Sequence, residues 1–225
     1  MSSKENIELN CPNCGKKQTV SIWKSINTSL NPEMKEAVRN KSAFKYTCPD
    51  CGYETILDYG FLYHQMSDRF MIQYVQTDES AEKVKDIWSD ENSPMMRIMR
   101  EKHYLMRIVR TQNELLEKIE IFDAGLDDRI VELCKMFILI WYSEQKKEDW
   151  PDEVLYYRQD EDNYVQLLSN GNLLGDMIIP KTMYDKIKED YQPFLAEIWN
   201  GGFFVNQSWA LETFQTFKDH VGESY

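Results

Sequence analysis

The chain has 225 residues, of which 42% are hydrophobic and 13% aromatic, enough for one large domain or two small ones with an apolar core. Its formal net charge is −12 at pH 7. This charge disfavours a protein that binds nucleic acid over a broad surface, because phosphate binding requires cationic side chains. A membrane-spanning helix needs roughly 20 mostly apolar residues, and the longest apolar run, residues 136–142, is far shorter.

Residues 1–6 are polar and lack the apolar stretch of a secretory signal peptide. We therefore expect a cytoplasmic protein without membrane association. Thiols stay reduced in the cytoplasm and can bind metal there. This expectation bears on the five cysteines of the chain.

One five-residue motif occurs twice, as CPNCG at residues 11–15 and as CPDCG at residues 48–52. In each copy the proline fixes φ after the first cysteine, and the glycine permits a left-handed conformation after the second. The two copies supply four thiolates, the ligand number of a tetrahedral structural zinc site. We predict one structural Zn²⁺ per chain, bound by Cys11, Cys14, Cys48 and Cys51.

Two other interpretations of the motifs are a pair of disulfides and a thioredoxin-like redox pair. Two repeated motifs without a secretory signal favour metal over disulfides. A redox pair usually opens a helix after a buried strand, and residues 16–20, with the sequence KKQTV, do not resemble such a helix. His64 could approach the metal, but four cysteines already complete a coordination sphere, which also disfavours an open catalytic site.

The pattern of apolar residues predicts an α+β fold that begins with a zinc-ribbon-like β part. Short strands are predicted on either side of both motifs. The 33 residues between Cys14 and Cys48 exceed the spacing of compact zinc ribbons, and residues 31–40 predict a helix inserted there. A pair of strands at residues 61–63 and 70–75 and a short helix at residues 80–89 follow.

Central helices are predicted next, after a strand at residues 104–110. Thr111 and Glu114 form a capping-box pattern that opens the first of these helices. The second, residues 128–143, has a broad apolar arc that includes Cys134 and Trp141, so we expect it to be the central buried helix. A lone buried cysteine usually packs as a small hydrophobic residue.

The charged residues 144–153 mark a change in composition and are predicted to form a domain boundary. Residues 1–143 would then be a zinc-binding domain with central helices, and residues 154–225 a small acidic α+β domain. The second domain is predicted to contain three strands, with a tight hairpin at Asn170 and Gly171. Two helices at residues 181–199 and 208–217 complete it.

The N-terminal part resembles the CpXC family of bacterial and archaeal proteins, whose name describes a repeated C-P-x-C motif. Both motifs match this pattern, and the similarity continues through residues 59–64, 115–119 and 125–128. The family is uncharacterised. The resemblance therefore implies a zinc site and no particular activity.

The sequence contains no strong enzymatic motif, such as a phosphate-binding P-loop or a zinc-protease helix, and we assign no catalytic residue. Residues 127–225 carry a net charge of −10, against −2 for residues 1–126. We predict a zinc-stabilised interaction protein whose acidic part binds a protein partner or a second copy of the chain. The alternatives are an enzyme of unrecognised type, with a pocket between its two halves, and a nucleic-acid-binding zinc ribbon. A continuous basic face that contains Lys16, Lys17, Lys24 and Lys41 would favour the latter.

Overall fold

The structure of the protein is a computed structural model that describes residues 2–145, 150–198 and 202–222. The chain divides into two compact units, Met1–Leu116 and Glu117–Tyr225. Helices and strands occur in both units, which confirms the α+β class. The domain boundary at residues 144–153 stays a prediction, and residues 146–149 lie outside the described residues, as does Trp199 at the expected end of a helix.

The first unit contains a mixed five-stranded sheet and a separate two-stranded hairpin. Its strands are β1 (Ser3–Asn10), β2 (Lys17–Asn27), β3 (Lys45–Thr47), β4 (Glu54–Ile56), β5 (Phe61–Gln65), β6 (Phe70–Tyr74) and β7 (Leu105–Val109). Its helices are α1 (Glu33–Arg39), α2 (Asp78–Ser89) and α3 (Pro94–Glu101), and α4 (Gln112–Asp123) begins in it. The sheet order is β1-β2-β5-β6-β7, and β3 pairs with β4.

Two parallel strand pairs determine the connections of this sheet. β2 runs parallel to β5, and β6 runs parallel to β7. Parallel neighbours require a long crossover connection. The first crossover contains α1 and the β3–β4 hairpin, so the inserted helix is confirmed and the second cysteine motif belongs to this connection. The second crossover contains α2 and α3.

Helix α3 was not among the helices predicted from the sequence. Helix α2 ends at Ser89, with Asp90 as its C-cap. Ser93 then caps a new helix, since its side chain accepts a hydrogen bond from the backbone N–H of Met96, and Pro94 occupies the first turn, where a missing N–H is tolerated.

The second unit contains an antiparallel three-stranded sheet and a group of helices. Its further elements are α5 (Asp128–Gln145), β8 (Glu153–Gln159), β9 (Asp162–Ser169), β10 (Asn172–Ile179), α6 (Lys181–Ile198) and α7 (Gln207–Gly222). The sheet order is β10-β9-β8. Asn170 and Gly171 have φ values of 51° and 75°, so both central residues of the β9–β10 turn are left-handed. The predicted tight hairpin is therefore confirmed.

Helix α5 is central to the apolar core of the second unit, where it packs with α6, α7 and the inner side of the sheet. Its buried arc differs from the predicted one in one respect. Trp141, expected within the arc, is 52% exposed. None of the helices in the described ranges is long and apolar enough to cross a membrane.

Gly60 provides a test of the first unit because it lies against the backbone of β6. A Cβ at this position would lie 2.9 Å from the carbonyl oxygen of Tyr74, closer than real Cβ contacts. We expect Gly60→Ala to destabilise the unit by about 1–3 kcal/mol, measured as faster hydrogen exchange of the β5 and β6 amides. Gly175→Ala is the control, since a Cβ there meets nothing within 4 Å. Equal protection in both variants would contradict the strand packing described here.

Candidate metal centre

The two cysteine motifs occupy equivalent turns of two hairpins. The first lies between β1 and β2, and the second between β3 and β4. In the first turn Gly15 N–H donates to the carbonyl of Cys11 at 2.8 Å, and Cys11 N–H donates to that of Lys16 at 2.9 Å. In the second turn, Gly52 N–H donates to the carbonyl of Cys48 at 2.9 Å, and Cys48 N–H donates to the carbonyl of Tyr53 at 2.8 Å. The repeated sequence therefore builds the same turn twice.

The glycine that closes each motif adopts a backbone conformation that other residues rarely take. Gly15 and Gly52 both have φ of 72°. A Cβ at either position would meet nothing within 4 Å, so the requirement for glycine comes from the backbone and not from crowding. This conformation turns the chain back after the second cysteine, as the sequence predicted.

The four motif cysteines form one cluster. Their Sγ atoms all lie within 4.8 Å of one another. The Sγ of Cys11 lies 3.7 Å from that of Cys51, and the Sγ of Cys14 lies 3.8 Å from that of Cys48. Four sulfurs at about 2.3 Å from a tetrahedral zinc ion are about 3.8 Å apart. The cluster therefore has the dimensions of a four-thiolate metal site and could hold a metal ion.

These two short sulfur distances connect one motif with the other. All five cysteines of the chain are free thiols in the structure. A disulfide within each motif would instead place its two sulfurs about 2.05 Å apart. The arrangement therefore favours a shared metal ion over two disulfides.

The environment of the cluster differs between its two sides. Cys11 and Cys48 are buried beside Tyr46, with Leu9, Val20 and Leu57 packed against them, whereas Cys14 and Cys51 are exposed. The exposed side carries polar contacts. The side-chain amide of Asn13 donates to Cys51 Sγ at 3.5 Å, and Lys16 Nζ lies 2.6 Å from Asp50 Oδ1. Gln18 also donates to Asp50, so two residues next to the first motif hold a carboxylate of the second.

The thiols of the cluster have divergent affinities for protons. Burial alone raises the pKa of the Cys48 thiol, but backbone N–H groups of Cys51 and Asp50 outweigh it and lower this pKa to about 6. The N–H of Lys16 lowers the pKa of Cys14, but desolvation and the neighbouring thiols raise it to about 12. Crowded sulfurs cannot all ionise together without a compensating charge. A divalent cation supplies that charge.

Neither of the other candidate residues joins the cluster. The imidazole of His64 lies with its Nε2 3.1 Å from the hydroxyl of Tyr104 and its Nδ1 3.5 Å from the amide of Asn27. Cys134 lies in the core of the second unit, where burial raises the pKa of its thiol to about 12. In the described residues the metal-ligand cluster consists of the four motif cysteines.

A second group of charged side chains, all buried in the second unit, was not predicted from the sequence. Lys135 Nζ lies 2.6 Å from Glu117 Oε1 and 3.1 Å from Glu132 Oε2. Lys118 Nζ lies 3.0 Å from Glu132 Oε1 and 3.2 Å from Asp128 Oδ2. We call these five residues the buried charge network. Their side chains are 1–7% exposed.

The buried charge network connects α4 and α5 to the sheet. Glu117 also accepts a hydrogen bond from the backbone N–H of Tyr156 in β8, at 2.6 Å. Burial by itself lowers the pKa of a lysine, but the adjacent carboxylates outweigh this effect and raise the pKa of both Lys118 and Lys135. Burial also raises the pKa of Glu117. The charge of Glu132 raises this pKa further, whereas the charges of Lys135 and Lys118 act in the opposite direction.

The sequence pattern did not predict this network. The apolar residues of α4 and α5 are numerous enough to explain the burial of both helices without buried charged residues. Charged residues at helical spacing are usually solvent-exposed. A pairing signal existed in principle, since Glu132 and Lys135 are three residues apart and can meet on one helix face. It gave no indication that the pair is buried.

Comparison with known proteins supports the resemblance seen in the motifs. Residues 9–135, more than half of the chain, match the family described as CpXC protein. The chain therefore belongs to the CpXC family. No curated protein and no solved structure matches it. The matched segment contains all four clustered cysteines and all five residues of the buried charge network.

Glu117→Gln should flatten the pH dependence of the second unit's stability. Since burial raises the folded-state pKa of Glu117, its proton stabilises the fold at low pH, and this contribution is lost as pH rises through that pKa. Relative to the variant, the wild-type unfolding free energy should fall by up to about 1.4 kcal/mol per pH unit. Hydrogen exchange of the α5 amides at several pH values measures this. Glu212→Gln, an exposed change in α7, is the control; a wild-type slope in both variants would show that Glu117 is not the linked group.

Proposed function

We propose that this chain is a zinc-stabilised interaction protein, in which zinc is structural and the second unit binds a protein partner. The observation that carries the zinc assignment is the convergence of four Sγ atoms within 4.8 Å. Cys11, Cys14, Cys48 and Cys51 would hold the ion as thiolates. Zinc bound there supplies a cross-link between two hairpins that the sequence separates by 33 residues.

A structural role follows from the ligand set. Four thiolates fill a tetrahedral coordination sphere and leave no position for water or substrate. Contacts of the protein itself help to position these ligands. They are the turn hydrogen bonds of both motifs, the burial of Cys11 and Cys48, and the contacts of Asp50 with residues next to the first motif. Thiols must stay reduced to bind metal, so a reducing compartment such as the cytoplasm suits this site.

Charge supports a protein partner over nucleic acid. Of the four lysines that could have formed a basic face, three each lie near a carboxylate, and the fourth, Lys41, donates to the side-chain oxygen of Asn113. Lys16 lies 2.6 Å from Asp50, Lys17 lies 2.6 Å from Glu8, and Lys24 lies 3.4 Å from Glu5. Residues 127–225 add a net charge of −10. Such a surface repels phosphate and favours basic protein surfaces.

Protein purified without added metal should contain close to one zinc per chain by elemental analysis. Cys48→Ser should lose the metal and the hydrogen-exchange protection of both hairpins. Structural zinc binds peptides with roughly 10–16 kcal/mol of apparent free energy, comparable to the ~5–15 kcal/mol stability of a whole domain. Cys134→Ser, which removes a cysteine outside the cluster, should keep both. A zinc content near zero, an iron–sulfur absorption band, or native protection in Cys48→Ser would each contradict the proposal.

Binding of nucleic acid should be weak even at about 50 mM salt, where phosphate contacts are strong. The reason is that Lys16, Lys17 and Lys24 are already paired with carboxylates. A mixed-sequence duplex and a single strand, titrated separately, provide the measurement. Tight, salt-sensitive binding that Lys16→Ala and Lys17→Ala weaken would instead support a nucleic-acid-binding ribbon.

A further inference from the structure

The three-stranded sheet of the second unit has one side in the core and one side outside it. Val154, Tyr156, Val165, Leu167 and Ile179 point into the core. Because side chains alternate along a strand, their neighbours point outward. Six of these outward side chains are apolar or aromatic, and we call them the outer face: Leu155, Tyr157, Tyr164, Leu168, Leu173 and Ile178.

Strand register places five of the six residues in two rows, which are separated by a mixed row of Leu155, Gln166 and Asp176. Tyr164 in β9 is opposite both Tyr157 in β8 and Ile178 in β10, so these three residues form one row across the sheet. Leu168 is opposite Leu173 in another row. The rings of Tyr157 and Tyr164 stack with centroids 5.3 Å apart and an interplanar angle of 17°. Ile178 is 47% exposed and Leu173 is 54% exposed.

Acidic side chains border this apolar surface. Asp176 projects between Leu173 and Ile178 on β10. Burial raises the pKa of the Tyr157 hydroxyl, and the charge of Asp176 and its hydrogen bond to Tyr157 raise this pKa further. Asp160 and Glu161 form the exposed β8–β9 turn, beyond the stacked tyrosines, and the exposed Asp162 begins β9. In the described part of the chain no lysine or arginine lies within ion-pair distance of these four carboxylates. The nearby Arg158 belongs to the opposite side of the sheet, where its charge acts on Tyr156.

The size of the outer face limits what can bind it. Strands lie about 4.8 Å apart and same-side residues about 6.8 Å apart along a strand, so the face measures roughly 10 Å by 14 Å. A stable protein–protein interface buries about 800 Å² on each partner. The area of the outer face is several times smaller than this value. It is large enough for a short peptide segment but too small to hold a dimer of this chain together. An acidic border on both copies would also oppose self-pairing.

We propose that the outer face is the surface through which the second unit binds its partner, and that the occupant is a short peptide segment of a partner protein. The segment carries apolar side chains for the tyrosine–isoleucine row and lysine or arginine residues for the surrounding carboxylates. This inference rests on the proposed function, because it names the surface and the chemistry of the partner in the interaction described there.

A phage-displayed library of random short peptides, panned on the zinc-loaded full chain, provides the probe. The selected peptides should combine aromatic or aliphatic residues with lysine or arginine. Ile178→Ser should weaken binding of a selected synthetic peptide about tenfold or more, because the apolar contact is lost. Asp176→Asn should weaken it roughly two- to fivefold, and less at high salt.

Leu211→Ser and Glu212→Gln are matched controls on the exposed side of α7, where Leu211 is 60% exposed. Both should bind like the wild type. Failure to select any peptide, selected peptides without basic residues, or full affinity in Ile178→Ser would overturn the proposal. Self-association that Ile178→Ser abolishes would also overturn it, because a second copy would then be the occupant. A native partner protein that still binds Ile178→Ser would overturn the outer face as the site and leave the proposed function intact.

Discussion

The contact between sulfurs of different motifs is the constraint on which the N-terminal arrangement depends. Cys11 approaches Cys51, and Cys14 approaches Cys48, across two hairpins that belong to different parts of the chain. The β3–β4 hairpin is only three residues long on each strand, too short to be stable by itself in water. Its stability therefore comes from what it contacts, and these contacts include the four-cysteine cluster, which could hold a metal ion. Buried Cys11 and Cys48 join the cluster to a small apolar group around Tyr46.

The second unit is stabilised by different means. Its core combines an extensive apolar cluster with the buried charge network, in which carboxylates and lysines of α4 and α5 compensate one another. Removing one partner of such a network leaves a buried charge uncompensated, which is strongly destabilising. The carboxylates around the outer face differ from those of the network because they are exposed to solvent and lack a nearby lysine or arginine among the described residues. Their charge can therefore attract a basic ligand.

The sequence predicted the features that depend on local chemistry. Cys-Pro-x-Cys-Gly specifies a turn through its own proline and glycine, and Asn170-Gly171 specifies a tight hairpin in the same way, so both were found correctly. Features that depend on tertiary packing were not found. The sequence around Glu117 and Lys135 does not indicate that the two side chains meet inside a core. Likewise, the sequence around Trp141 does not indicate that this side of α5 is exposed. The outer face required strand register, because a one-residue shift would exchange its residues with those of the core.

X-ray absorption at the zinc edge tests the proposed ligands of the metal ion most directly. The isolated full chain should show four sulfur scatterers at about 2.3 Å and no nitrogen or oxygen neighbour in the first coordination sphere. That result would establish a closed four-thiolate site shared by the two motifs. Fewer than four sulfurs, with nitrogen or oxygen at about 2.0–2.1 Å, would contradict the account, because the site would then be incomplete or open to water and substrate.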